Sequence, residues 1–246
     1  MTGQHDSVAE QGFITHLIEL RNRIIRASAA VLVVFLCLMP FSSEIFDLLA
    51  APMMAALPQG SKMIATGVIT PFLIPVQFTL LLAFVLALPF VLHQVWAFIA
   101  PGLYAHEKQL VVPLIASSTL LFFAGMAFCY FFVFGVVFRF IQQFAPQAVT
   151  VAPDIASYFS FALTMFLAFG MTFEVPVVVV LLVRAGLVSV QKLKQVRPYV
   201  IVGAFVIAAI VTPPDVMSQL LLAIPLCLLY EVGLLVAPLF VKADKV

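Results

Sequence analysis

The costliest placement in this chain is that of Glu174, because between Asp154 and Arg184 the only other side chain able to ionise is Tyr158. A carboxylate at the centre of a bilayer costs on the order of 2.5–3.5 kcal/mol on insertion scales, so a chain that carries one there usually puts it to use. One use is coupling the movement of an ion or solute. Another is a hydrated point in a concave face that receives a peptide or partner. A structural role fits as well: Pro176 removes a helical N–H and frees the carbonyl of Thr172, which the acid or a water it holds can satisfy.

Two further acids stand where cations predominate. Glu19 precedes the first apolar run, and Glu107 falls in the short loop between the second and third. At one membrane depth, such carboxylates offer forks to an arginine-bearing ligand through bidentate, charge-assisted bonds, and a basic peptide is the natural ligand. The local alternative pairs Glu19 with Arg23 at i, i+4 in the favourable order, worth about 0.2–0.5 kcal/mol.

Other chemistries lack their residues. No Gly-rich phosphate loop ending in Lys-Ser or Lys-Thr occurs, and His106-Glu107 is followed by Lys-Gln-Leu where a zinc-protease helix needs a second histidine. No two intramembrane aspartates offer an acid–base pair, so an enzyme, an intramembrane protease included, is not expected. Cys37, Cys129 and Cys227 are widely spaced within apolar runs, which makes neither a disulfide framework nor a metal motif. No cofactor or metal is implied. The cations form no basic stripe interleaved with aromatics, so nucleic acid is not an expected partner.

The elements that carry these acids follow from composition. The chain is 64% hydrophobic and 9% charged, with a mean hydropathy of +1.20, against about 25% charged residues in ordinary soluble domains. Apolar runs recur from residue 24 onward and leave no segment for a separate soluble domain. Residues 1–246 therefore read as one polytopic, all-α membrane domain: an N-terminal segment 1–23, a bundle 24–238 and a tail 239–246. The first 20 residues contain His5, Asp6, Glu10 and His16 and no apolar core with a cleavage site, so no signal peptide is expected.

Six spans are expected. Runs long enough for about 30 Å of hydrocarbon lie at Ile24–Phe41, Phe72–Phe98, Leu110–Phe138 and Tyr158–Val183. The last two are the short ones. Tyr199–Thr212 covers only about 21 Å at 1.5 Å per residue, and Val216–Val236 is interrupted by Pro225. Each span is expected to be helical, since every backbone group in lipid needs an internal partner and no alternating barrel pattern is present. With both termini in the cytoplasm, ten lysines and arginines fall inside against Lys62 and Arg139 outside, which supports an N-in, C-in orientation. Pro89, Pro113, Pro176 and Pro225 within spans favour kinks and a dished bundle. In the first outer loop, Ile45, Leu48, Leu49, Met53 and Ala56 have helical spacing, which predicts an amphipathic cap. The two halves show no periodic self-similarity, which weakens an alternating-access transporter.

Several stretches are shared with one family. His16-Leu17-Ile18-Glu19-Leu20-Arg21, then Gln94-Val95-Trp96-Ala97-Phe98-Ile99-Ala100-Pro101-Gly102-Leu103-Tyr104 with His106-Glu107, closely resemble TatC, the twin-arginine translocase receptor family. Phe173-Glu174-Val175-Pro176, Arg197-Pro198-Tyr199 and Thr212-Pro213-Pro214-Asp215 are similar in order and spacing, so the likeness covers residues 13–238. Lys108-Gln109 departs from it, because many members carry two basic residues there.

The resemblance implies a glove-shaped six-helix receptor of the inner membrane. It would bind twin-arginine signal peptides of folded proteins, recruit single-span TatA and TatB type subunits, self-associate in a larger complex and use the proton-motive force. By the same resemblance Glu19 and Glu107 would receive the arginine pair, with Leu20, Arg21 and Phe98 shaping the patch. Thr212 and Gln219 resemble the polar cluster where a single-span partner docks, while Pro52 and the segment Leu57–Ser61 resemble the family's outer cap, and Asp215, in the last outer loop, is structural. The rival reading is a small-solute or ion secondary transporter with Glu174 as its coupling site.

Overall fold

The computed structural model describes residues 3–58, 60–103, 111–144, 152–212 and 215–240, with side chains from residue 15 onward except at 99–103, 111 and 240. Among these residues all extended secondary structure is helical apart from a single bridge, Ile64 with Asp154. Five helical runs are long and apolar enough to cross a membrane, and Arg197–Val211 is a shorter apolar helix. The chain is thus a multi-pass membrane protein, with many leucines, valines and phenylalanines exposed on its surface.

The first helix, α1 (Gly3–Leu38), begins well before residue 24 and ends at a 3-10 turn, Met39–Phe41. Pro40 cannot donate to the preceding turn, and Phe41 leaves helical geometry at φ −102°, ψ 19°. The predicted cap follows at once as α2 (Ser42–Ala56), which buries Ile45 and Ala50. It packs on α3 (Thr70–Leu103) and on the far end of the third span. That span is composite: α4 (Val111–Phe128), a π-helical turn Cys129–Val133, then α5 (Phe134–Phe144). The expected fourth span is likewise two helices, α6 (Ile155–Phe173) and α7 (Val175–Arg184), joined at Glu174. Gly186, at φ +69°, supplies the left-handed residue that turns the chain after α7.

A short helix, α8 (Val190–Gln195), leads into α9 (Arg197–Val211) and α10 (Val216–Val236). The fifth span is short, as expected. The sixth is not: α10 runs unbroken through Pro225, and with the following turn its apolar run reaches Leu239, 24 residues in all. One lost N–H does not stop a helix whose remaining bonds cannot be exchanged for water in lipid.

Aromatic packing fills the interior. Phe78, Phe134, Phe166 and Phe169 are at most 2% exposed, and Phe134 meets Phe166 edge-on with centroids 5.1 Å apart. Gly125 lets α4 close on α6, since a Cβ there would lie 2.5 Å from the carbonyl oxygen of Phe169. A smaller cluster of Val179, Val183, Leu193, Tyr230 and Leu234 joins α7, α8 and α10 at the end of the bundle where α1 starts.

Candidate functional site

The α1-start end holds the acids and aromatics expected to meet a basic peptide. His16 on α1 stacks on Phe98 of α3, with centroids 4.2 Å apart and planes 17° from parallel. One turn on, and on the same face of α1, Glu19 accepts from Arg23 Nε at 3.1 Å and Nη2 at 2.5 Å. Both bonds fall on Oε1, so the local i, i+4 pair forms, and an incoming guanidinium meets a carboxylate that already has a partner. Glu19 is 39% exposed and accessible from solution. Leu20 is half-buried beside it, while Arg21 is exposed and reaches the side-chain oxygen of Asn22 at 3.4 Å among the described residues. Glu107 lies outside the described residues.

Sequence reasoning missed a further acid at this end, Glu231. Arg197, opening α9, donates to Glu231 near the end of α10 at 2.6 Å, both side chains 43% exposed. Tyr230 donates to the carbonyl of Leu193 at 2.9 Å, so α8 is held to α10. Glu231 has no local partner in the sequence, and only the antiparallel pairing of α9 with α10 joins it to Arg197.

Glu174 occupies the break between α6 and α7. Pro176 has no N–H for the carbonyl of Thr172, and the Glu174 N–H turns back to Met171 at 3.1 Å, so the helix tightens and restarts. The carboxyl faces Ser118 of α4. Neither Glu174 Oε1 nor Ser118 Oγ completes a hydrogen bond, and both atoms are buried. Two facing, unfulfilled polar groups at that depth make a site able to accept a polar group from outside the bundle.

At the opposite end, Thr212 is 5% exposed and donates to Ala208 within its own helix at 2.8 Å. Gln219 Nε2 crosses from α10 to the carbonyl of Phe205 at 3.2 Å. Gln219 therefore ties α10 to α9, while Thr212 closes the last turn of α9. Asp215 caps α10, its Oδ1 accepting from Ser218 N–H at 2.7 Å. Pro52 lies inside α2. Asp154 was only a boundary in the sequence, yet it caps α6 by accepting from Ser157 N–H at 3.1 Å and receives the Thr66 hydroxyl at 3.0 Å. The Ser157 N–H first, then the Thr66 hydroxyl and N–H, hold its carboxyl below the usual carboxylate range. Among the described residues no group of three His, Cys, Asp or Glu side chains could hold a metal.

Residues 15–225 match the family described as Sec-independent protein translocase protein (TatC). The chain belongs to the TatC family. The Sec-independent protein translocase protein TatC of Haemophilus influenzae is 52% identical over 234 residues, 95% of this chain and 91% of that protein. The TatC of Escherichia coli K12 is 53% identical over 235 residues, 96% of this chain and 91% of its own length. A crystal structure of the twin-arginine translocase receptor TatC is similar with a TM-score of 0.79 and 38% identity, over 92% of this chain and 99% of that one. TatC membership makes the chain a component of a protein translocase in the Tat pathway and not an enzyme. It also sets aside the solute-transporter reading of Glu174.

Proposed function

We propose that this TatC-family chain is the signal-peptide receptor and core subunit of a twin-arginine translocase. Its six crossings leave both termini in the cytoplasm and shape a glove-like bundle of the inner membrane. The observation that carries the reading is the family match along residues 15–225, with Glu19, Leu20 and Phe98 gathered at one end. Arginine pairs dock on Glu19 and Glu107, while Leu20, Arg21 and Phe98 shape the surface around them. Each charged hydrogen bond contributes about 1.5–3 kcal/mol net, so a few account for most of the roughly 8 kcal/mol of a micromolar complex.

Glu174 and Ser118 form the hydrated point of the groove, open to the peptide or to a partner's polar group. Single-span TatA and TatB type subunits dock near Thr212 and Gln219, the outer cap with Pro52 supports self-association, Asp215 has a structural role at the start of α10, and the proton-motive force drives export. The deciding experiment removes the gene and follows a folded reporter bearing a twin-arginine signal. Export should stop and return with the intact gene; normal export without it overturns the proposal.

A further inference from the structure

Two tyrosines from different spans reach the same helical turn of the outer cap. Tyr130 donates to the carbonyl of Leu48 at 2.7 Å, and Tyr158 donates to that of Leu49 at 2.5 Å, across 82 and 109 residues of sequence. The Leu48 acceptor has a local cause. Pro52 lies four residues after Leu48 inside α2, so Leu48 has no helical N–H to accept from, and the proline ring presses its carbonyl outward. A carbonyl so displaced at a membrane boundary needs a donor from elsewhere.

Tyr130 reaches it because it lies in the π-helical turn Cys129–Val133. That turn takes in one residue more than an α-turn and re-aims the side chains that follow, a distortion that recurs at functional sites. Tyr158 is 3% exposed and braced by Phe78 and Phe138, with centroids 5.9 and 5.8 Å away. Its hydroxyl is therefore fixed in direction.

We infer that Tyr130 and Tyr158 are positioning residues, which lock α2 in one rotation about its axis through the carbonyls of the turn that Pro52 opens. In that rotation Ile45 and Ala50 are buried, and Leu48, Ala51, Met54 and Ala55 face outward. Within this clasp Pro52 creates the acceptor that the third span reads. The link to export rests on the translocase function proposed above; the clasp itself does not.

A double-mutant cycle on the full-length protein tests it. Tyr130→Phe deletes one hydroxyl and should speed amide hydrogen exchange in Met53–Ala56 by about three- to tenfold, the range of one lost hydrogen bond. In a Pro52→Ala background the restored N–H bonds Leu48, and the same change should then speed exchange less than about twofold. Tyr158→Phe should speed exchange in both backgrounds, because Leu49 is not the carbonyl that Pro52 frees. Equal effects of Tyr130→Phe with and without Pro52 overturn the inference. Export of a twin-arginine reporter should fall in Tyr130→Phe. Unchanged export alongside faster exchange overturns the positioning role, whereas a wild-type chain that supports no export sinks the translocase reading and leaves the exchange result standing.

Discussion

At the scale of single residues, the pair of Glu19 with Arg23 defines what an arginine ligand has to displace. Exposed pairs of this kind are worth about 0.3–0.5 kcal/mol, far less than a bidentate fork from a guanidinium. Glu19→Ala and Glu107→Ala should each weaken binding of a twin-arginine peptide at least tenfold by titration. Arg23→Ala, which only releases Glu19, should change it less than about threefold. Retained affinity in both glutamate variants would remove the acids from the site. Glu174 belongs to a different chemistry, since its carboxyl faces Ser118 in the break while its Oε1 and the serine Oγ stay buried without a partner among the described residues. Glu174→Gln keeps the shape and the hydrogen-bonding capacity but not the charge. Export is expected to drop severalfold in that variant, and full export would show that ionisation is dispensable.

At the scale of elements, the caps and breaks matter most. Asp154 joins the chain after α2 to the start of α6 through Thr66 and Ser157, beside the paired backbones of Ile64 and Asp154. Its acidity is increased in the folded chain, so its contribution is complete above the unfolded carboxylate range, near pH 4. It is lost as pH falls through the lower folded value. Hydrogen exchange at Thr66 and Ser157, taken relative to the intrinsic amide rate at each pH, should accelerate in acid below about pH 4 in the wild type. Asp154→Asn should exchange faster at neutral pH and lose that acid dependence; an identical acid response in both would show that another group controls the clasp. Part of this scale is legible from sequence. The helical spacing of Ile45, Leu48, Leu49 and Met53 predicts α2, and Pro176 predicts a weakness beside Glu174. The π-turn at Cys129–Val133 is not legible, because its residues are as apolar and helix-compatible as their neighbours.

At the scale of the whole molecule, α9 is too short for an ordinary bilayer and lies against the full-length α10. Fifteen residues give about 22 Å, against a core of about 30 Å, so if α9 crosses the bilayer the lipid beside it is expected to thin at a cost of fractions of a kcal/mol per Å. Gln219 bridges α10 to α9 at this end, and Thr212 closes the last turn of α9. Replacing both with leucine removes the bonds to Ala208 and Phe205 and should reduce crosslinking of single-span partners at least severalfold. Undiminished crosslinking would move the docking surface elsewhere.

Hydropathy, charge asymmetry and short motifs by themselves determined that the chain is an all-helical, multi-pass member of the TatC family. Those signals are local: an apolar run has to become a helix in lipid whatever its neighbours are. Tertiary structure alone decided which distant groups meet. Arg197 finds Glu231, Tyr130 finds Leu48 and Ser118 faces Glu174 only once the helices are packed. It also decided that Pro225 leaves α10 whole while Pro176 divides α6 from α7. The physical reason is that hydrogen bonds and ion pairs depend on positions within a few tenths of an ångström, and those are set by packing across the bundle, which no one-dimensional pattern encodes.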